Sequence, residues 1–328
     1  MHNIKLSSDF SESDDDLHFD NLYINIVFID ALMDVQQPLV SVIIPAYNRR
    51  QFIEKAIQSV SAQTYPNYEL LVVDDASTDD TANWIAANYS QVQLIGLAQN
   101  TGAAEARNVG IRAAQGELIA FLDSDDYWDE TYLAVQVRSL QEHTSASFVF
   151  SNHREIQQDG TIKSCVYQPS PNYQDLIHRS LADVFIYTMS AVVVRKSALN
   201  RCGLLNSRLI ICHDRELYIR LLQVGSLAHT AELLVTRVMH ERNISTDYWR
   251  WAKYAFMLLD IFFADAKNKA YLPMAPAIRS AWAMIVARRM WQVDRAFWSS
   301  SQMLLKAIQA APKLVTGKLY RRFLSQFS

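Results

Sequence analysis

From Pro38 onward the chain alternates between short apolar runs and stretches whose apolar positions recur at helical spacing. Val40-Ser41-Val42-Ile43-Ile44 reads as a buried strand closed by Pro45. In Arg50 to Gln63 the residues Phe52, Ile53, Ala56, Ile57 and Val60 form the stripe of an amphipathic helix. Glu69-Leu70-Leu71-Val72-Val73 is a second buried strand, ended by Asp74-Asp75. Ser77, with Asp80 three residues on, is placed to cap a helix reaching Tyr89. Val92 to Leu97 gives a third strand, Gly102 to Ala114 a helix, and Glu117 to Leu122 a fourth strand. Four such alternations with short joins predict an α/β fold, a parallel sheet covered by helices on both faces. Ligands of such sheets bind beyond the carboxyl ends of the strands. The polar clusters Pro45 to Asn48, Asp74-Asp75 and Asp123 to Asp126 all fall there.

The second half is less regular. Phe148 to Phe150 and Ser190 to Val194 read as strands, Asn172 to Ser180 as a helix, and Glu216 to Val224 as a helix with Leu217, Leu221 and Val224 inward. From about Trp249 the pattern is wholly helical and rich in Trp, Met, Lys and Arg. Charge divides the chain the same way. The net charge is −3, yet residues 1–37 carry eight acids against one lysine, and residues 249–328 carry thirteen Lys and Arg against three Asp. We therefore expect an acidic, poorly ordered leader over 1–37, an α/β domain over 38–248 and a basic helical extension over 249–328.

Half of the 328 residues are apolar, enough for a substantial core. The mildly acidic middle has no basic patch that argues for nucleic acid. Cys165, Cys202 and Cys212 have no metal-ligand spacing and are odd in number, which points to a reducing compartment. The N-terminus lacks the basic-then-apolar pattern of a signal peptide, and no apolar run is long enough to cross a bilayer. A cytoplasmic location is expected. The basic end, Lys313 through Arg322 with Leu314, Val315, Leu319 and Tyr320, suits peripheral contact with an anionic membrane surface.

The sharpest chemical signal is Phe121-Leu122-Asp123-Ser124-Asp125-Asp126, an apolar strand running into three carboxylates. Such a run is not expected in the core, because an unpaired buried acid is costly. In extended chain Asp123 and Asp125 point to one side and suit an oxygen-liganded ion, Mg²⁺ or Mn²⁺, with phosphates completing its shell. The plainer alternative is an acidic loop in which Asp126 caps a helix.

Taken together, these segments resemble glycosyltransferase family 2. The resemblance rests on Val40 through Arg49, Val72 through Asp79, Asn100-Thr101-Gly102 with Ala106 through Gly110, and Asp123 through Asp126, in the family's order and spacing. It covers Pro38 to Tyr248 and is strongest up to Leu133. It implies a GT-A fold: a Rossmann-like, mostly parallel sheet sandwiched by helices, here with a C-terminal helical extension. It also implies a nucleotide-sugar donor, usually a UDP-sugar, and transfer with inversion to a glycan or lipid-linked acceptor, as in polysaccharide or surface-glycan assembly.

Carried onto this sequence, the resemblance puts Pro45, Tyr47 and Asn48 in the uridine pocket, with Tyr47 free to stack on the base. Asp75 would accept from the uracil N–H while Asp74 supports the turn. Arg107 would reach the diphosphate or base, its plain alternative being a surface salt bridge. Asp123 would contact ribose or metal, and Asp125 would ligate the ion. The family's base stands in a Glu-Asp pair opening a late helix. Here Asp214 matches the Asp, His213 stands where Glu is usual, and Glu216 is the fallback. His240 is a candidate third contact to metal or phosphate, and Tyr187-Thr188-Met189-Ser190 a candidate wall of the acceptor pocket. Asn243-Ile244-Ser245 is formally a glycosylation sequon and is read as coincidence. Two alternatives stand beside the transferase: a non-catalytic nucleotide-sugar-binding scaffold, and a nucleotidyltransferase. The second would call for a glycine-rich basic loop after the first strand, which Pro45-Ala46-Tyr47-Asn48 is not.

Overall fold

The computed structural model describes residues 37–170, 175–240, 248–294, 301–303, 305–306 and 309. The leader, the sequon and the basic segment Lys313 to Arg322 lie outside the described residues.

Four apolar runs form the expected strands: β1 (Val40–Ala46), β2 (Tyr68–Asp74), β3 (Gln93–Gly96) and β4 (Leu118–Phe121). They pair in parallel in the order β3-β2-β1-β4. Helices α1 (Ile53–Ser61), α2 (Thr81–Asn88) and α3 (Ala103–Ala113) make the crossovers. Every residue of β1 is buried, because the strand has a core on each face. Val40, Val42 and Ile44 join Ile53, Ala56, Ile57 and Val60 of α1 and Tyr132, Leu133, Val137 and Leu140 of α4 (Tyr132–Glu142). Ile43 on the opposite face joins Ile119, Phe121 and Phe148, with Ala104 and Ile111 of α3. Alternation along one strand thus sorts its side chains into two hydrophobic layers.

Beyond β4 the sheet becomes mixed. It continues through β8 (Val192–Arg195), β6 (Ala146–Ile156), β9 (Ser226–Val238) and the two-residue β5 (Tyr127–Trp128), with β7 (Ile162–Cys165) hairpinned onto β6. β8 runs antiparallel to both β4 and β6, β9 is parallel to β6, and β5 is antiparallel to β9. Two of these pairings matter for function. The β4–β8 ladder aligns Ala120 with Val193, bringing the segment before β8 beside the carboxylates after β4. The β5–β9 ladder aligns Tyr127 with Thr236, carrying the end of β9 to the same carboxylates.

The remaining helices are α5 (Leu176–Ala182), α6 (Lys196–Cys202), α7 (His213–Val224), α8 (Tyr248–Ala264) and α9 (Ala275–Asp294), with a 3₁₀ segment over Ala266–Met274. Helix α7 is held from both sides. Leu217, Tyr218 and Leu221 enter the sheet's second core, and Ile219 enters a third core with Leu258, Leu259 and Phe262 of α8 and Trp282 of α9. The Trp282 indole donates to Leu181 O at 2.6 Å, and the Arg215 guanidinium lies 4.1 Å above its ring. The described part of the extension therefore braces α7. No described helix is long and apolar enough to cross a membrane.

Candidate active site

The carboxyl ends of the parallel strands open into a cleft of about 610 Å³, within the range of small-molecule sites. Its first wall follows β1. Pro45 and Tyr47 line it, and the Tyr47 ring is 42% exposed. Asn48 does not line it. The residue sits at φ 54°, a left-handed conformation that Asn tolerates, and turns its side chain to the loop after β2. Its Oδ1 accepts from Thr78 N at 2.8 Å and Asp79 N at 3.2 Å, while its own N–H donates to Ser77 Oγ at 2.9 Å. That bond also corrects the expected cap. Ser77 clasps the β1 turn, and α2 starts at Thr81 with no side-chain cap from Asp80.

Asp74 and Asp75 divide the work of the β2 loop. Asp74 Oδ2 accepts from Ser77 N at 3.0 Å, the turn support expected of it. Asp75, nearly buried, accepts from Thr101 N at 2.7 Å and Thr101 Oγ1 at 2.9 Å on one oxygen, and from Gly102 N at 2.8 Å on the other. Gly102 stands at φ 88°, a conformation glycine adopts without strain, and α3 begins one residue later. Asp75 is thus first the clamp that sets the N-terminus of α3. Its Oδ2 keeps one acceptor position for a ligand N–H.

The second wall is the turn after β4, where Asp126 N donates to Asp123 O at 3.0 Å. The turn replaces the extended geometry and sends the three carboxylates in different directions. Asp123 pairs with Arg107 of α3. Asp125 Oδ2 lies 2.9 Å from His240 Nε2, and the His240 ring stacks on Phe52 at 4.9 Å and 14°. Asp126 turns inward and is 3% exposed, so the expectation that none of the run enters the core fails there. Burial pushes its carboxyl well above the ordinary carboxylate range, and Asp123 and Asp125 push the same way. Three donors offset the cost: Ser190 Oγ at 2.6 Å, Thr188 Oγ1 at 3.2 Å and Val238 N at 3.2 Å. Asp126 caps no helix. It ties the turn to the ends of the two neighbouring segments that the sheet brings there.

Arg107 is likewise no surface residue, being 5% exposed. Besides Asp123 it reaches Ala103 O at 3.3 Å and His213 Nε2 at 3.0 Å. The third wall follows from that contact. Cys212 stands at φ 66°, a strained position for a non-glycine residue, and α7 starts immediately after it. His213 and Asp214 of the first turn line the cleft. Asp214 Oδ1 accepts from Arg215 N at 2.8 Å, and its other oxygen has no hydrogen bond among the described residues. Glu216, the fallback, does not line the cleft. It is buried and held by Arg220 at 2.7 Å, and Arg220 also donates to Cys202 O, Gly203 O and Leu204 O. Tyr187, Thr188 and Met189 line the cleft with Ile211 and Trp251.

Sequence reasoning missed Ser190 as a hub: its Oγ accepts from Asp123 N at 3.0 Å and donates to Asp126. A lone polar residue ahead of the apolar run Ala191 to Val194 was the available signal. Arg237 and Arg250 in the lining were also missed, since neither lies in a recognisable motif. Among the described residues one trio of metal-type side chains lies elsewhere: His153, Glu155 and Cys165, on adjoining strands. Arg237 donates to Glu155 at 3.0 Å, and Lys163 stands across from Glu155 in register. That carboxylate is already paired with a cation.

A family model described as glycosyl transferase family 2 matches residues 41–203. TuaG of Bacillus subtilis, a glycosyltransferase assigned to teichuronic acid biosynthesis, is 33% identical over 224 residues, 66% of this chain and 85% of TuaG. The UDP-Glc:alpha-D-GlcNAc-diphosphoundecaprenol beta-1,3-glucosyltransferase WfgD of Escherichia coli is 38% identical over 140 residues, 42% of this chain and 55% of WfgD. The fold is shared with S. aureus TarS 1–349 in complex with UDP-GlcNAc, at TM-score 0.60 and 20% identity over 84% of this chain and 82% of that one. It is shared too with the mannosyltransferase PcManGT from Pyrobaculum calidifontis in complex with GDP-Man and Mn²⁺, at TM-score 0.54 and 20% identity over 92% and 96%. The fold is GT-A. The chain belongs to glycosyltransferase family 2 and is a glycosyltransferase.

Proposed function

We propose that this enzyme transfers a sugar, with inversion, from a nucleoside-diphosphate sugar to a hydroxyl of a lipid-linked or growing glycan in surface-polysaccharide assembly. UDP is the proposed nucleotide. The observation that carries the reading is a cleft lined by both the carboxylate turn Asp123–Asp126 and Asp214, whose second oxygen accepts no hydrogen bond among the described residues. In support, TarS 1–349 is seen in complex with UDP-GlcNAc, WfgD is a UDP-Glc transferase acting on a GlcNAc-diphosphoundecaprenol, and TuaG is assigned to teichuronic acid biosynthesis.

In this reading Asp214 takes the proton of the acceptor hydroxyl, whose oxygen attacks the anomeric carbon. The bond from that carbon to the diphosphate breaks, and the diphosphate leaves with the electron pair. Tyr47 stacks on the base, Asp75 accepts its N–H, and Arg107 and Asp123 orient the diphosphate and ribose. Asp125 and His240 fit a divalent cation: the pair is already 2.9 Å apart and offers one oxygen and one nitrogen donor, while Asp123 is engaged with Arg107. That mixed set suits Mn²⁺ better than Mg²⁺, which prefers all-oxygen surroundings. Bound there, the cation would offset the charge on the departing diphosphate. The acceptor enters past Tyr187 and Trp251. The same reading puts the enzyme at the cytoplasmic face of a membrane, with Lys313 to Arg322 as the contact.

The test is transfer to a polyprenyl-diphosphate-linked sugar, followed by mass spectrometry, with UDP-, GDP- and dTDP-sugars as donors in Mn²⁺. One UDP-sugar should add one sugar unit, and Asp214→Asn should slow this about 10²- to 10⁴-fold while UDP binding persists. Full transfer by Asp214→Asn would remove the base assignment. No added mass from any donor would remove the reading.

A further inference from the structure

The first turn of α7 carries a histidine where the family usually carries a glutamate, and both ring nitrogens of His213 are engaged. Nδ1 lies 3.1 Å from Leu209 O, and Nε2 lies 3.0 Å from Arg107 Nη1. These partners leave one arrangement of protons. A guanidinium only donates, so Nε2 must present its lone pair. A carbonyl only accepts, so Nδ1 must carry the proton. The ring is therefore neutral, and its tautomer is set from two sides.

We propose that His213 is a positioning residue: a neutral, Nδ1-protonated imidazole that accepts from Arg107 and aims its guanidinium at Asp123 without adding charge to the donor site. This rests on the nucleotide-sugar reading above, and it assigns the departure from the family pattern a role. The groups that face the ring agree. Arg107 on α3 and Leu209 ahead of α7 hold it, while Asp123 after β4 and Asp214 on the same turn are the nearby carboxylates. A glutamate here would meet Arg107 as a second carboxylate, compete with Asp123 for its donors, and add a negative charge beside a diphosphate. The neutral ring satisfies the same donor and leaves Asp123 as the carboxylate partner of Arg107. Burial and the adjacent guanidinium hold its pKa below the usual histidine value, in keeping with this form.

Two measurements test it. Nitrogen-15 imidazole NMR of the wild-type enzyme, with His213 assigned by its disappearance in His213→Gln, should show a protonated Nδ1 and an unprotonated Nε2 at neutral pH. An Nε2-protonated or cationic ring would overturn the proposal, and this readout does not depend on any variant being well folded. Calorimetric titration with UDP in Mn²⁺ then compares His213→Leu, which removes the acceptor, with His213→Gln, whose amide oxygen restores one. Leu should weaken UDP binding about tenfold, the scale of one lost charge-assisted hydrogen bond, and Gln should stay within about threefold of wild type. Wild-type affinity in the Leu variant, or equal loss in both, overturns the positioning role while the donor reading stands. Wild type binding neither UDP nor GDP overturns the donor reading, and the proposal with it.

Discussion

Asp126 and His213 show how side chains that carry charge in water are kept neutral or satisfied at the edge of this cleft. For His213 the consequence for stability has a definite sign. Its folded-state pKa lies below 6.5, its ordinary value, because burial and Arg107 disfavour the cation. A depressed value means that the unfolded chain binds the proton more readily. The contribution is therefore fully present above about pH 6.5 and lost as pH falls through the folded-state value. Chemical denaturation across that window should find that wild type loses stability faster than His213→Gln as the solution is acidified. A constant difference between the two would contradict the assignment of a buried neutral ring. The sequence itself pointed to Asp214, Asp125, Arg107 and Tyr47, all of which line the cleft. It could not show that Asn48 spends its amide on Thr78 and Asp79, because a left-handed residue reorients a side chain without any mark in the pattern.

At the scale of elements, α3 does more than carry Arg107. It lies so close to β1 that a Cβ on Gly110 would come within 2.5 Å of Ile43 Cγ2. Ile43 belongs to β1, which leads through Pro45 to Tyr47, so the spacing of α3 from β1 sets the distance between Tyr47 and Arg107 across the cleft. Gly110→Ala should cost about 1–3 kcal/mol of stability, the usual cost of overpacking, measured by urea unfolding. It should also weaken nucleotide binding, since Arg107 lies one turn away on the same helix. An unchanged midpoint would mean that the helix shifts freely. The parallel half of the fold was legible because its inner strands β1, β2 and β4 are largely buried and read as apolar runs, as Val40 to Ile44 and Glu69 to Val73 do. The turn at Asp123–Asp126 was not legible in its geometry. A carboxylate such as Asp126 enters the core only because Ser190, Thr188 and Val238, more than sixty residues away, supply donors through the β8 and β9 pairings.

Across the whole molecule, the walls of the cleft come from different parts of the chain. The parallel half supplies Tyr47, Asp75, Arg107 and Asp123. The second half supplies Asp214 to the wall and His240 as the partner of Asp125, and the helices α8 and α9 brace α7 through Trp282 and its contacts with Leu181 and Arg215. The helical character of the extension was legible from its pattern. Its role behind the helix that bears Asp214 was not, because long-range packing leaves no periodic trace. In the proposed function this cleft cleaves a nucleoside-diphosphate sugar with help from a cation at Asp125 and His240. The most direct measurement is release of nucleoside diphosphate from UDP-, GDP- and dTDP-sugars by wild type and Asp125→Ala, with Mn²⁺, with Mg²⁺ and with EDTA. UDP should be released from one donor, faster with Mn²⁺, with release abolished by EDTA and lost in Asp125→Ala. Equal release by both proteins in the presence of EDTA would contradict it.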